Sequence, residues 1–122
     1  MKIKNFEDIM AWKKARKIVN KIYNITDDRS WEHDYALKDQ IERASISIMS
    51  NIAEGFERET TKEFIRFLYM SRGSVGEVKS LIYILLDRNI IKGNSFKELH
   101  NELSEIGKIL NGFIAYLKNR NS

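Results

Sequence analysis

A chain of 122 residues with 43% hydrophobic and 31% charged residues has the balance of one folded domain, neither disordered nor fibrous. The absence of cysteine excludes disulfides, thiolate metal sites and thiol nucleophiles, and the absence of proline leaves long helices uninterrupted. A formal net charge of +4 and a pI near 9.3 favour acidic partners without naming one.

From Phe6 to Ile25, the residues Ala15, Ile18, Val19, Ile22 and Ile25 share one helical stripe, which Trp12 extends upstream. The other face carries Lys13, Lys14, Arg16, Lys17 and Lys21, the densest cationic cluster in the chain. Such a cluster can neutralise several phosphates and release their counterions, the main source of sequence-independent nucleic-acid affinity. A plain solvated helix face is its commoner meaning, and no stacking aromatic is interleaved with these cations. The opening MKIKNFEDIM has no apolar signal core, and no apolar run approaches the roughly 20 residues that span a bilayer, so a cytoplasmic protein is expected.

The polar stretch TDDRSWE, residues 26–32, ends this helix, and Asp27, Asp28, Ser30 and Asp34 are all candidate N-caps for the next. Trp31 suits either sealing of the bundle end or anchoring of a partner. In the second helix, from Tyr35 to Gly55, Leu37, Ile41, Ala44, Ile48, Ile52 and Gly55 form the core stripe. Ile46, Met49, Ala53 and Phe56 form a second apolar side, which another helix or another chain must cover. Arg43, Ser47, Ser50, Asn51 and Glu54 make the remaining polar strip. Gly55 suits a left-handed C-cap or a very close helix contact.

Thr60 followed by Glu63 is a capping box that opens a third helix. There Phe64, Leu68, Ser71, Val75, Val78, Ile82 and Leu85 repeat at alternating spacings of four and three, a heptad-like seam. Gly73, Ser74, Gly76 and Ser80 interrupt it, and each helical glycine costs roughly 1 kcal/mol relative to alanine. A tight crossing against the second helix is the expected compensation; GSVGE lacks the Lys-Ser/Thr of a phosphate-binding loop. Residues 87–94, DRNIIKGN, break the chain, with Gly93-Asn94 as the turn signal and Ser95 with Glu98 as a further capping box. Leu99, Leu103, Ile106, Leu110, Phe113 and Leu117 then mark a fourth helix, which ends in the basic tail KNRNS, expected to fray.

Four such helices with short connections predict an all-α, antiparallel up-down-up-down four-helix bundle, one domain over residues 1–122. Neither His33 nor His100 has an acidic residue three positions earlier, so a carboxylate-bridged metal pair is not expected. There is no G-x-S-x-G elbow or S-x-x-K motif, and a non-enzymatic protein without cofactor or metal is expected. Glu54, Glu57, Glu59 and Glu63 are read as helix-capping and solvated carboxylates rather than cation ligands. Asn51, Ser74 and Glu77 are expected to form a polar network that fixes helix register.

The segments FEDIMAWKKA, DQIERASISIMSNIAEGFER and KEFIRFLYMSRGSVGEV together resemble the family of four-helix-bundle proteins encoded by 23S rRNA intervening sequences. The most specific pieces are Ser45 to Gly55, SISIMSNIAEG, and Gly73 to Glu77, GSVGE. Met49 stands where the family usually has proline, and Glu42-Arg43 where it has a basic pair. The resemblance implies an antiparallel bundle that assembles as a homopentameric ring. It also implies similarity in fold to accessory proteins of diversity-generating retroelements, which associate with a reverse transcriptase and nucleic acid. Two readings follow. One is a ring-forming protein that binds RNA or DNA through Lys13, Lys14, Arg16, Lys17 and Lys21, with Arg43 and Lys118 as lesser contributors. The other is a homo-oligomeric scaffold that docks a protein partner such as a reverse transcriptase without touching nucleic acid.

Overall fold

The computed structural model describes residues 3–28, 31 and 34–120. After a short 3-10 turn, Phe6–Asp8, four helices follow: α1 (Met10–Thr26), α2 (Tyr35–Phe56), α3 (Thr61–Asp87) and α4 (Gly93–Arg120). The first helix therefore starts later than the sequence suggests, because Ile9 is extended (φ −77°, ψ 121°) between the turn and α1; Phe6 meets Trp12 edge-to-face at 5.2 Å.

Cross-helix bonds establish the direction of each helix. Lys14 meets Glu105 while Lys21 meets Glu98, so α1 and α4 run antiparallel. Arg72 bonds Asn111 and Lys118 bonds Tyr69, so α3 opposes α4. Ser71 donates to the Ile48 carbonyl and Gln40 reaches Glu77, so α2 opposes α3. The result is the up-down-up-down bundle that the spacing predicts.

One core cluster draws on all four helices, with Ile18, Ile22, Ile41, Ile48, Ile52, Leu68, Ile82, Leu103, Ile106 and Leu110 fully buried. The α3 seam is buried from Phe64 to Leu85. In α4 the seam shifts by one position near its end, where Ile114 is buried and Phe113 is half-buried, its ring packing edge-to-face on Phe64 at 5.4 Å. Trp31 is buried and its indole N–H donates to the Ile25 carbonyl at 3.0 Å, so it seals the α1–α2 end of the bundle.

Local chemistry explains most helix ends. Asp34 caps α2 by accepting from the Leu37 amide at 3.3 Å; the rival candidate Ser30 lies outside the described residues. Thr60 caps α3 by accepting from the Glu63 amide at 3.1 Å. The start of α4 differs from expectation. The helix begins at Gly93, Ser95 lies inside it, and the Phe96 amide already bonds the Lys92 carbonyl at 2.9 Å. Gly93-Asn94 is not the turn. The turn centres on Asn89, the single non-glycine residue with positive φ among those described, at 59°. The Ile90 amide bonds the Leu85 carbonyl at 2.8 Å and the Asn89 amide bonds that of Leu86 at 3.0 Å, the bond pair of a Schellman motif with Asn89 in the left-handed position. At the far end α4 stays helical through Arg120, and the last two residues of the tail, 121 and 122, lie outside the described residues.

The glycines overturn one expectation and decide another. A Cβ added at Gly73 or Gly76 would meet nothing within 4 Å, so neither makes a tight crossing with α2. The close approach is at Gly55, where a Cβ would lie 2.5 Å from the Phe67 Cβ and 3.0 Å from the Phe64 ring. Gly55 is thus a helix-contact residue within α2; it has no positive φ and does not terminate the helix in a left-handed cap.

Candidate nucleic-acid interface

The amphipathic pattern of α1 turns Ala11, Ala15, Ile18 and Ile22 inward and sets its cations on two different flanks. Lys14 and Lys21 lie on the flank facing α4. Lys14 bonds Glu105 at 2.8 Å, and Lys21 bonds Glu102 at 2.5 Å and Glu98 at 2.7 Å. Hydrogen bonds to Glu102 and then Glu98 raise the Lys21 pKa above its usual 10.5, burial opposing them. These two cations are engaged within the bundle.

Lys13 and Arg16 occupy the outer flank and Lys17 the edge next to α4, where it borders a cleft with Glu102 and Glu105; all three are exposed and form no ion pair among the described residues. With Glu7, Trp12 and Asn20 they line a shallow groove of about 540 Å³. The Arg16 guanidinium lies 5.9 Å from the centre of the Trp12 ring, so one aromatic does accompany the cations. Sequence reading separated Trp12 from the cluster because it counts toward the apolar stripe.

The outlying candidates are elsewhere. Arg43 is on the exposed side of α2, bonded to Asp39 one turn earlier at 2.9 Å. Lys118, near the end of α4, donates to the Tyr69 hydroxyl at 2.5 Å and lies 5.0 Å from the centre of that ring. Neither adjoins the α1 ridge.

The polar residues between α2 and α3 are joined through Ser47. The Asn51 amide donates to the Ser47 carbonyl at 2.9 Å and to its hydroxyl at 3.0 Å, and the Ser74 hydroxyl meets Ser47 at 3.1 Å. Glu77 stands apart on the surface, where Gln40 donates to it at 3.4 Å. Sequence spacing places Ser74 and Glu77 on neighbouring flanks of α3 and cannot tell which one the serine of α2 meets.

No group of three or more acidic or histidine side chains poised for a metal occurs among the described residues, and His33 lies outside them. Glu54 and Glu63 bond Arg58 and Arg66 at 2.8 and 3.0 Å respectively. No helix among the described residues is long and apolar enough to cross a membrane.

In fold the chain is similar to a crystal structure described as a protein with unknown function from the S23 ribosomal protein family of Bacteroides thetaiotaomicron. The two superpose with a TM-score of 0.79 at 22% identity, over 86% of this chain and 98% of that one. No curated protein matches the chain significantly. The sequence model of the 23S rRNA-intervening sequence protein family matches residues 7–112, the span that includes all three resembling segments except the first residue, Phe6. The chain therefore belongs to the 23S rRNA-intervening sequence protein family.

Proposed function

We propose that this protein is a non-catalytic, homo-oligomeric nucleic-acid-binding protein that holds the phosphate backbone of RNA or DNA through the outer flank of α1. The observation that carries the reading is the division of the α1 cations. Lys14 and Lys21 are held by carboxylates of α4, while Lys13, Arg16 and Lys17 are exposed beside them and form no ion pair among the described residues. Three unpaired cations within about 6 Å of helix rise form a compact phosphate-binding ridge. Assembly of a +4 chain into a ring concentrates its field, and five copies would carry a formal charge near +20. Gly73 supports assembly: it sits mid-helix on the surface, where no neighbour in the chain explains its helix-weakening presence.

The test is binding of a structured RNA and a duplex DNA by protein carrying Lys13→Glu, Arg16→Glu and Lys17→Glu. Loss of binding with retention of the helical fold supports the reading; unchanged binding removes the ridge.

A second reading, a scaffold that docks a protein partner, is favoured by the second apolar side of α2. Ile46 is exposed and Met49, Ala53 and Phe56 are half-buried beside it. Specific capture of a protein after nuclease treatment, undiminished by the triple charge reversal, would favour this scaffold over the nucleic-acid reading.

A further inference from the structure

We infer that the α3–α4 face is a second nucleic-acid surface, separate from the α1 ridge and shaped for a single strand. The inference starts from how α4 distributes its charge. Its only carboxylates, Glu98, Glu102 and Glu105, recur at spacings of four and three, fall on one flank, and all bond Lys14 or Lys21 of α1. The rest of the helix surface is left without acid. Lys97 and Lys108 project from it into solvent, and Lys118 lies on the edge nearest α3.

The facing side of α3 continues the pattern. Lys62, Arg72 and Lys79 lie toward α4 or solvent, Glu77 lies toward α2, Glu63 is paired with Arg66 at 3.0 Å, and Asp87 closes the far end of the helix. None of Lys62, Arg72, Lys79, Lys97, Lys108 and Lys118 forms an ion pair among the described residues. Arg72 is held instead by the neutral Asn111 side chain at 2.9 Å, which fixes its position and leaves its charge uncompensated.

The aromatic rings on this face decide the kind of strand. The Tyr69 ring has the Arg72 guanidinium 4.7 Å and the Lys118 ammonium 5.0 Å from its centre, and with Lys62, Ile65 and the Glu63–Arg66 pair it borders an open groove. Tyr83 meets Phe96 at 4.8 Å and His100 at 6.1 Å in T-shaped contacts. It stays 48% exposed, which leaves ring surface open to a base. The two tyrosines are roughly 21 Å apart along α3 at 1.5 Å rise per residue. Cations interleaved with rings along a track of that length bind the backbone and stack unpaired bases, a combination that a paired duplex cannot use because its bases are already stacked.

The test is fluorescence anisotropy with labelled oligouridylate and oligothymidylate, against a duplex of the same length. It uses the wild type, a Lys62→Glu/Lys97→Glu/Lys108→Glu variant, a Tyr83→Ala variant and the α1 triple reversal. All three lysines in the first variant are exposed and unpaired, so the fold should survive, as circular dichroism will verify. The wild type should prefer the single strand. The lysine variant should lose it at least tenfold with a shallower salt dependence, and Tyr83→Ala should lose it about fivefold or more at unchanged salt dependence. Wild-type single-strand affinity in both variants, or preference for the duplex, overturns the inference. Because the α1 reversal is measured beside them, loss of single-strand binding there alone overturns this inference while leaving the α1 proposal standing.

Discussion

Gly55 of α2 faces Phe67 of α3 so closely that a Cβ on the glycine would lie 2.5 Å from the Cβ of the phenylalanine. The neighbouring atom belongs to the root of a buried side chain, which cannot swing aside. Gly55→Ala should therefore destabilise the fold by about 1–3 kcal/mol, despite the better helix propensity of alanine. The opposite sign is expected at Gly73 and Gly76, where the added methyl meets nothing: each alanine should stabilise the isolated chain by about 0.5–1 kcal/mol. Urea denaturation of the three variants checks both signs. Sedimentation velocity adds the assembly readout, because a contact between copies at Gly73 predicts a loss of oligomer in Gly73→Ala with no loss of fold.

Asn89 carries the left-handed position of the turn after α3. Asparagine tolerates that conformation better than most residues but less well than glycine. Asn89→Gly should leave stability unchanged or slightly higher, and Asn89→Val should lower it by about 1–2 kcal/mol, measurable by thermal unfolding.

Ser71 is fully buried in the α3 seam and its hydroxyl donates to the Ile48 carbonyl at 2.7 Å. Ser71→Ala removes that bond at nearly constant volume, and the expected loss is about 1 kcal/mol. Ser71→Val, which adds bulk to the same site, should cost more.

The raised pKa of Lys21 has a definite consequence for pH dependence. A cation whose folded pKa exceeds its unfolded one stabilises the fold fully below the unfolded value, and that contribution disappears as pH rises through the folded value. Alkaline titration of wild type against Lys21→Met should therefore give a stability difference that is constant at neutral pH and shrinks only above about 10.5, the unperturbed lysine value. Because Lys21 is over a third exposed, the difference should be small and should diminish in high salt.

Periodicity alone located the helices, since each seam residue repeats within one helix and its burial depends on that repeat. The buried run from Phe64 to Leu85 and the Thr60 cap are examples. Interactions between helices were less legible. The sequence shows that Gly55, Gly73 and Gly76 are unusual in helices but not which one another helix approaches. Lys21 and Glu102 are 81 positions apart, so the five cations of α1 read as one cluster until α4 claims two of them. A signal did exist: Glu98 and Glu105 are separated by seven residues, as are Lys14 and Lys21, the match expected of facing antiparallel helices. Asn89 was also within reach, as an asparagine three positions after the apolar run that ends at Leu86 and directly before Ile90-Ile91.

The most direct test of the central claim is a salt titration of RNA binding between about 50 and 200 mM, comparing wild type with the Lys13→Glu/Arg16→Glu/Lys17→Glu variant by fluorescence anisotropy on a structured RNA. Phosphate contact through the α1 ridge predicts wild-type binding that weakens steeply with salt, and a variant that binds at least tenfold more weakly with its log–log slope reduced by about three. Equal affinity and equal slope in the two proteins, or no wild-type binding at the lowest salt, would contradict it.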